Sequence, residues 1–124
     1  MLILLIFVGG GLGSVCRYFL GAFIQSKAHL AFPIGTLLVN VLGCIAIGVF
    51  AKFYLHSQTS HYVRTMLVVG FCGGFTTFST FSYETLGLIN GGEWGRAGSY
   101  VLASVVACII GTAFGFAIAP TLTR

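Results

Sequence analysis

Residues Gly70 to Tyr83 read G-F-C-G-G-F-T-T-F-S-T-F-S-Y. Thr76, Thr77, Ser79 and Thr80 bring four hydroxyls that compete with a helical ladder for backbone partners. Gly73 and Gly74 each cost a helix roughly 1 kcal/mol relative to Ala. Phe75, Phe78 and Phe81 recur every third residue, so they drift only slowly around one helix face. The chemistry of this stretch is therefore non-covalent. Hydroxyl donors and the positive edges of aromatic rings suit an anion. A helix interrupted at the glycine pair would expose carbonyls, which coordinate Na⁺, and N–H groups, which attract anions. Gly73 and Thr76 are the carbonyl suppliers this pattern suggests. Phenylalanines at helical spacing are also ordinary packing, and a glycine pair is also an ordinary kink, so both readings stand at this level.

The remaining polar residues in apolar surroundings are few. They are Arg17, Asn40, Glu84, and a stripe of Tyr100, Ser104, Cys108 and Thr112 at intervals of four. Buried in hydrocarbon, each needs a partner. Most are donors, and Glu84 is the only carboxylate inside an apolar run. A cation transporter should display carboxylates, so an anion is the more natural guest.

The elements that position these residues follow from composition. The chain has 124 residues, of which 57% are hydrophobic and 6% charged, with a mean hydropathy of +1.03. A soluble domain carries about 25% charged residues, so the sequence predicts an all-α integral membrane protein forming one domain over residues 1–124. Net charge is +4, through scarcity of acid, and the basic residues are scattered, which argues against nucleic acid as a partner. Cys16, Cys44, Cys72 and Cys108 fall one in each apolar run without C-x-x-C spacing, so they read as small buried hydrophobes. His29, His56 and His61 lie near run ends and read as polar tips at a membrane boundary. The first run lacks a small-residue cleavage site, so it reads as a span and not as a signal peptide.

A spanning helix needs ~20 apolar residues, and four stretches qualify, at about 2–24, 32–54, 64–90 and 96–120. Gly9 with Gly13, and Gly10 with Ser14, make small-xxx-small pairs that let helices approach closely. Gln25-Ser26-Lys27 reads as a link, Pro33 as a first-turn residue of the second span, and Asn90-Gly91-Gly92 as a turn. The third stretch, longer than a span requires, predicts a helix broken in mid-membrane. Loop charge sets orientation. Lys52, Arg64 and Arg124 fall on one side. Lys27 and Arg96 fall on the other, with Arg17 leaning towards it. This near balance predicts dual topology, with two antiparallel copies paired as a homodimer within the lipid bilayer.

Three motifs then resemble the bacterial Fluc/CrcB fluoride channels. They are the glycine-rich first span ending Gly13-x-x-x-Arg17, G-T-L-x-x-N-x-x-G over Gly35 to Gly43, and G-F-C-G-G-F-T-T-F-S-T-F-S-x-E over Gly70 to Glu84. The third is the most specific, and the resemblance covers essentially the whole chain. It implies a fluoride-selective channel that exports fluoride passively across the bacterial plasma (inner) membrane and keeps cytoplasmic fluoride low. It implies an antiparallel homodimer with two pathways and a structural Na⁺ held by the backbone carbonyls of Gly73 and Thr76. Pathway residues are implied at Asn40, Phe78, Phe81, Thr77, Ser79, Thr80, Tyr100, Ser104, Glu84 and Arg17. Such proteins often carry Ser where Cys108 stands here, and a thiol is the weaker donor. Fluoride holds its water tightly, so a selective pore must offer many moderate donors in place of one buried cation.

Other classes fit less well. A small dual-topology drug exporter needs a membrane carboxylate for proton exchange, and none precedes Glu84. A packing subunit without transport leaves Asn40 and the hydroxyls unexplained. An enzyme lacks a nucleophile–base arrangement, a metal cluster or a phosphate loop.

Overall fold

A computed structural model describes residues 1–28, 31–56 and 60–119. His29 and Arg124 lie outside the described residues, as does the side chain of His56. Four helical stretches, Leu2–Ala28, Ile34–Tyr54, His61–Asn90 and Trp94–Ile118, are long and apolar enough to cross a membrane.

Helix α1 covers Leu2–Ala28. It continues through Gln25, Ser26 and Lys27, where the sequence suggested a link. Gln25 makes this extension useful: its Nε2 donates to the Phe32 carbonyl at 3.2 Å, and its Oε1 accepts from the Gly35 N–H at 3.1 Å. The end of α1 is thereby tied to the start of α2, Ile34–His56. Pro33 stands just ahead of α2, and its carbonyl accepts from the Leu37 N–H.

The third stretch is composite. A short helix α3, His61–Arg64, is capped by the Ser60 hydroxyl, which accepts from the Tyr62 N–H. A π-helix follows over Thr65–Cys72. One further turn, α4, covers Gly73–Phe75. Thr76 (φ −84°, ψ 156°) and Thr77 (φ −149°, ψ 116°) are extended, and α5 then runs over Phe78–Asn90. The sequence placed the interruption at the glycine pair. Gly73 is instead helical (φ −63°, ψ −36°), and the chain leaves the helix three residues later. At Gly91-Gly92 it turns, with Gly92 at φ 77°, a conformation that Cβ-bearing residues rarely adopt. The last helix, α6, is Trp94–Ile118.

Two glycine-lined contacts hold these elements together. A Cβ on Gly9 would collide with the Met66 carbonyl, one on Gly13 with that of Phe71, and one on Gly74 with that of Gly10. At these glycines, alpha-carbon hydrogens are all that separates α1 from the π-helix and α4. On the other side, Gly48 of α2 abuts the Thr112 carbonyl, and Gly115 of α6 abuts that of Ile45. Phe81, Leu88, Ala97 and Tyr100 form a small buried core that Phe32, Leu37 and Ile89 flank. Much apolar surface faces outward, including Ile3, Phe7, Phe19, Leu102, Ile109 and Phe78.

Candidate functional site

Two cavities meet at the extended pair, and Thr77 lines both. The first, about 530 Å³, is walled by Arg17, Gln25, Thr36, Thr80 and Glu84 among others. The second, about 330 Å³, is walled by Asn40, Cys44, Thr76, Phe78, Phe81, Ser104 and Cys108 among others.

Asn40 governs the junction. Its Nδ2 donates to the Thr77 carbonyl at 3.0 Å, and its Oδ1 accepts from the Thr77 N–H at 2.7 Å. A residue that leaves the helical ladder must find partners for both main-chain groups, and one carboxamide supplies both. A primary amide has two hydrogens, so one N–H of Asn40 is left for another acceptor. Thr77 then caps α5: its Oγ1 accepts from the Thr80 N–H at 3.1 Å and donates to Thr80 Oγ1 at 3.0 Å. Ser79 is exposed, with its Oγ 3.2 Å from that of Thr77.

These bonds redirect the donors that would close the helix. The Thr77 N–H, which would answer the Gly73 carbonyl, goes to Asn40. The Thr80 N–H, which would answer the Thr76 carbonyl, goes to Thr77 Oγ1. The carbonyls of Gly73 and Thr76 are thus released from the ladder, and Gly73 is exposed. Neutral carbonyl oxygens without a helical donor are what a hard monovalent cation requires, so the two positions fit Na⁺. The intervening Gly74 carbonyl is occupied. Arg17 Nε donates to it at 3.1 Å, and Ser14 Oγ lies 3.4 Å away. Arg17 is therefore partnered by a carbonyl, with its guanidinium in the wall of the larger cavity. The ion pair among the described residues is Arg96–Glu93, near the start of α6.

Glu84 is held by two hydroxyls from two other helices. Thr36 Oγ1 donates to Oε1 and Tyr100 OH donates to Oε2, each at 2.7 Å. Tyr100 is completely buried. Its ring packs against Phe81 with centroids 5.1 Å apart and meets Phe32 edge-on at 5.4 Å. The Phe78 and Phe81 rings are 5.3 Å apart and tilted by 47°. They differ sharply in environment: Phe81 is 9% exposed and Phe78 is 78% exposed.

The α6 stripe divides into separate roles. Tyr100 serves Glu84. Thr112 turns back to the Cys108 carbonyl at 3.1 Å. Cys108 lines the same cavity as Cys44 of α2. Among the described residues, Ser104 Oγ is the buried side-chain polar atom without a hydrogen-bond partner. Ser104 is 6% exposed and lines the cavity that Phe81 and Asn40 also line.

The structure thus gathers Asn40, Thr76, Thr77, Phe78, Phe81 and Ser104 at one cavity, and Arg17, Thr77, Thr80 and Glu84 at the other. Tyr100 stands behind Glu84. Sequence reasoning missed Thr36 and Cys44. Thr36 lies four residues before Asn40 and Cys44 four after, so all three share one face of α2. That spacing was the available signal.

The chain matches the family described as "CrcB-like protein, Camphor Resistance (CrcB)" over residues 4–116. It is 48% identical over 113 residues to a protein of Phocaeicola vulgatus named fluoride-specific ion channel FluC, covering 91% of this chain and 93% of that one. A protein of the same name from Geobacter sulfurreducens is 49% identical over 111 residues, 89% of this chain and 90% of its own. One from Geotalea uraniireducens is 43% identical over 121 residues, 97% and 98% of the two chains.

Proposed function

We propose, proceeding from the fact that this chain belongs to the CrcB family, that it is a fluoride-selective ion channel, a multi-pass membrane protein and not an enzyme, and that it lets fluoride leave the cell passively. The observation that carries the site reading is Ser104 Oγ, a buried hydroxyl with no partner beside Asn40 and Phe81. A buried donor left unpaired costs roughly 1–3 kcal/mol. A passing anion would satisfy it. Asn40 offers its second amide hydrogen there, and Phe78 and Phe81 can turn ring edges towards the same space. Together these groups replace the water shell of a small anion without a full positive charge, and so bind it weakly enough for release.

In this reading the pathway runs from the cavity of Arg17, Thr36 and Glu84, past Thr77 and Thr80, to the cavity of Asn40, Phe78, Phe81 and Ser104. Ser79 and Tyr100 stand at its margins. The extended pair Thr76–Thr77 lies in mid-membrane and interrupts the third span. Lys52 and Arg64 near one set of helix ends balance Lys27 and Arg96 near the other, which supports insertion in both orientations and an antiparallel homodimer in the inner membrane. A second copy would cover the exposed Phe78 and bring its own released carbonyls towards Gly73 and Thr76. Na⁺ held by those carbonyls would supply fixed positive charge between the copies; it would hold the extended segments together and take no part in covalent chemistry.

The experiment is fluoride efflux from liposomes carrying the purified protein, with chloride as control. Rapid fluoride loss with chloride retained is the expected result. Retention of fluoride by folded protein would overturn the reading and favour proton-coupled export of organic cations, which Glu84 would have to serve.

A further inference from the structure

We propose that Cys44 of α2 and Cys108 of α6 form a two-thiol binding site for a soft d¹⁰ metal ion such as cuprous, silver or mercuric ion. Three observations carry this. Cys44 stands one turn before Gly48 on α2 and Cys108 one turn before Thr112 on α6, and Gly48 packs on the Thr112 carbonyl, so the two thiols fall at matching positions on the facing helices. Both are free thiols and only half-buried. Both line the cavity of about 330 Å³ that Asn40, Phe78 and Ser104 line, so an ion has room to reach them.

The scaffold fixes the pair. A Cβ on Gly48 would meet the Thr112 carbonyl, and one on Gly115 would meet the Ile45 carbonyl, so α2 and α6 are in backbone contact on the side of Cys108 towards the end of α6. Neither helix can slide without breaking these contacts, and the thiols stay opposed. Soft thiolate ligands select soft metals. Structural zinc takes four ligands, and among the described residues no group of three or more His, Cys, Asp or Glu side chains stands together. Two opposed thiols suit ions that are content with two ligands in a line. Cys72 is fully buried and Cys16 is exposed on α1, so they serve as internal comparisons.

Binding is a ligand exchange without electron transfer. Both S–H bonds break heterolytically, two protons leave to water, and two metal–sulfur bonds form. With Hg²⁺ the S–Hg–S product is neutral. An ion so placed narrows the cavity beside Phe78. That consequence for fluoride rests on the proposed pathway, whereas the binding itself does not.

The test adds Hg²⁺ at one equivalent per chain to the detergent-solubilised protein, challenges it with excess monothiol, and reads retained metal by mass spectrometry of the intact chain. Wild type and Cys16→Ser should each retain one mercury and lose two protons. Cys44→Ser and Cys108→Ser should each hold it roughly 10²-fold more weakly, because the second, intramolecular ligand is gone. Should either serine variant misfold by circular dichroism, the alanine variant at that position takes its place. Retention equal to wild type in the Cys44 or the Cys108 variant, or loss in Cys16→Ser, would overturn the site. In liposomes the loaded wild type should lose fluoride efflux and recover it with a dithiol chelator. Mercury retained with efflux unchanged would leave the site standing and overturn the pathway through that cavity.

Discussion

Asn40 and Thr77, 37 positions apart, are joined by two hydrogen bonds that run in opposite directions between one carboxamide and one residue's main chain. The pairing explains why the chain is extended there. A helix interruption in an apolar setting must have its freed N–H and C=O answered by protein, and Asn40 answers both.

Asn40→Asp retains an acceptor for the Thr77 N–H but sets a carboxylate oxygen against the Thr77 carbonyl. It also removes both amide hydrogens and adds negative charge to the cavity. A buried group stripped of its partner costs about 1–3 kcal/mol, and each 1.4 kcal/mol is about tenfold in an equilibrium. Fluoride efflux should fall at least about tenfold, with a lower unfolding temperature in detergent. Unchanged flux would remove Asn40 from the pathway.

How far the sequence carried this site can be judged from single residues. Four spans followed from hydropathy, and the glycines of α1 announced the close approach they make to the third stretch. The interruption was expected at Gly73-Gly74 because glycine weakens helices. It falls at Thr76–Thr77 because Asn40 reaches that point, and a partner supplied from 37 residues away leaves no local trace. The π-helix over Thr65–Cys72 also lacks a residue signature. There the carbonyls of Met66 and Phe71 lie against Gly9 and Gly13, an arrangement set by two helices together. The division of the α6 stripe into a Glu84 partner, an orphan hydroxyl and a cavity-lining thiol depends in the same way on what α2 and α5 place opposite.

Gly13→Ala tests the first glycine contact. Its Cβ would collide with the Phe71 carbonyl and come within 2.8 Å of the Phe75 amide nitrogen. Overpacking of this kind costs roughly 1–3 kcal/mol. The α1–α4 separation would widen and loosen the Arg17 contact to Gly74. Thermal unfolding in detergent should drop by several degrees. Gly98→Ala, where nothing lies within 4 Å, should be neutral or slightly stabilising because Ala favours helix by up to ~1 kcal/mol.

Tyr100→Phe removes the hydroxyl that answers Glu84 Oε2 and keeps the ring that packs on Phe81 and Phe32. A hydrogen bond to a carboxylate contributes about 1.5–3 kcal/mol. The variant should fold, unfold at a lower temperature, and conduct fluoride less well because Glu84 is free to swing into the larger cavity. Thr36→Val should act in the same direction through Oε1. The double variant should lose less than the sum of the two, since groups in one network are not additive. Strict additivity would mean that Glu84 does not couple them.

Ser104→Ala separates ion binding from structural support by sign. A hydroxyl buried without a partner destabilises the fold, so its removal should leave stability unchanged or raise it by about 1 kcal/mol, within the range such groups cost. If the same hydroxyl is a stopping point for the ion, fluoride efflux should nonetheless fall several-fold while chloride remains excluded. A structural hydroxyl would behave in the opposite way, with stability lost and flux preserved in whatever protein remains folded. Thermal unfolding and efflux measured on one preparation distinguish the two. Raised stability with lowered flux would establish Ser104 as a donor reserved for the passing anion.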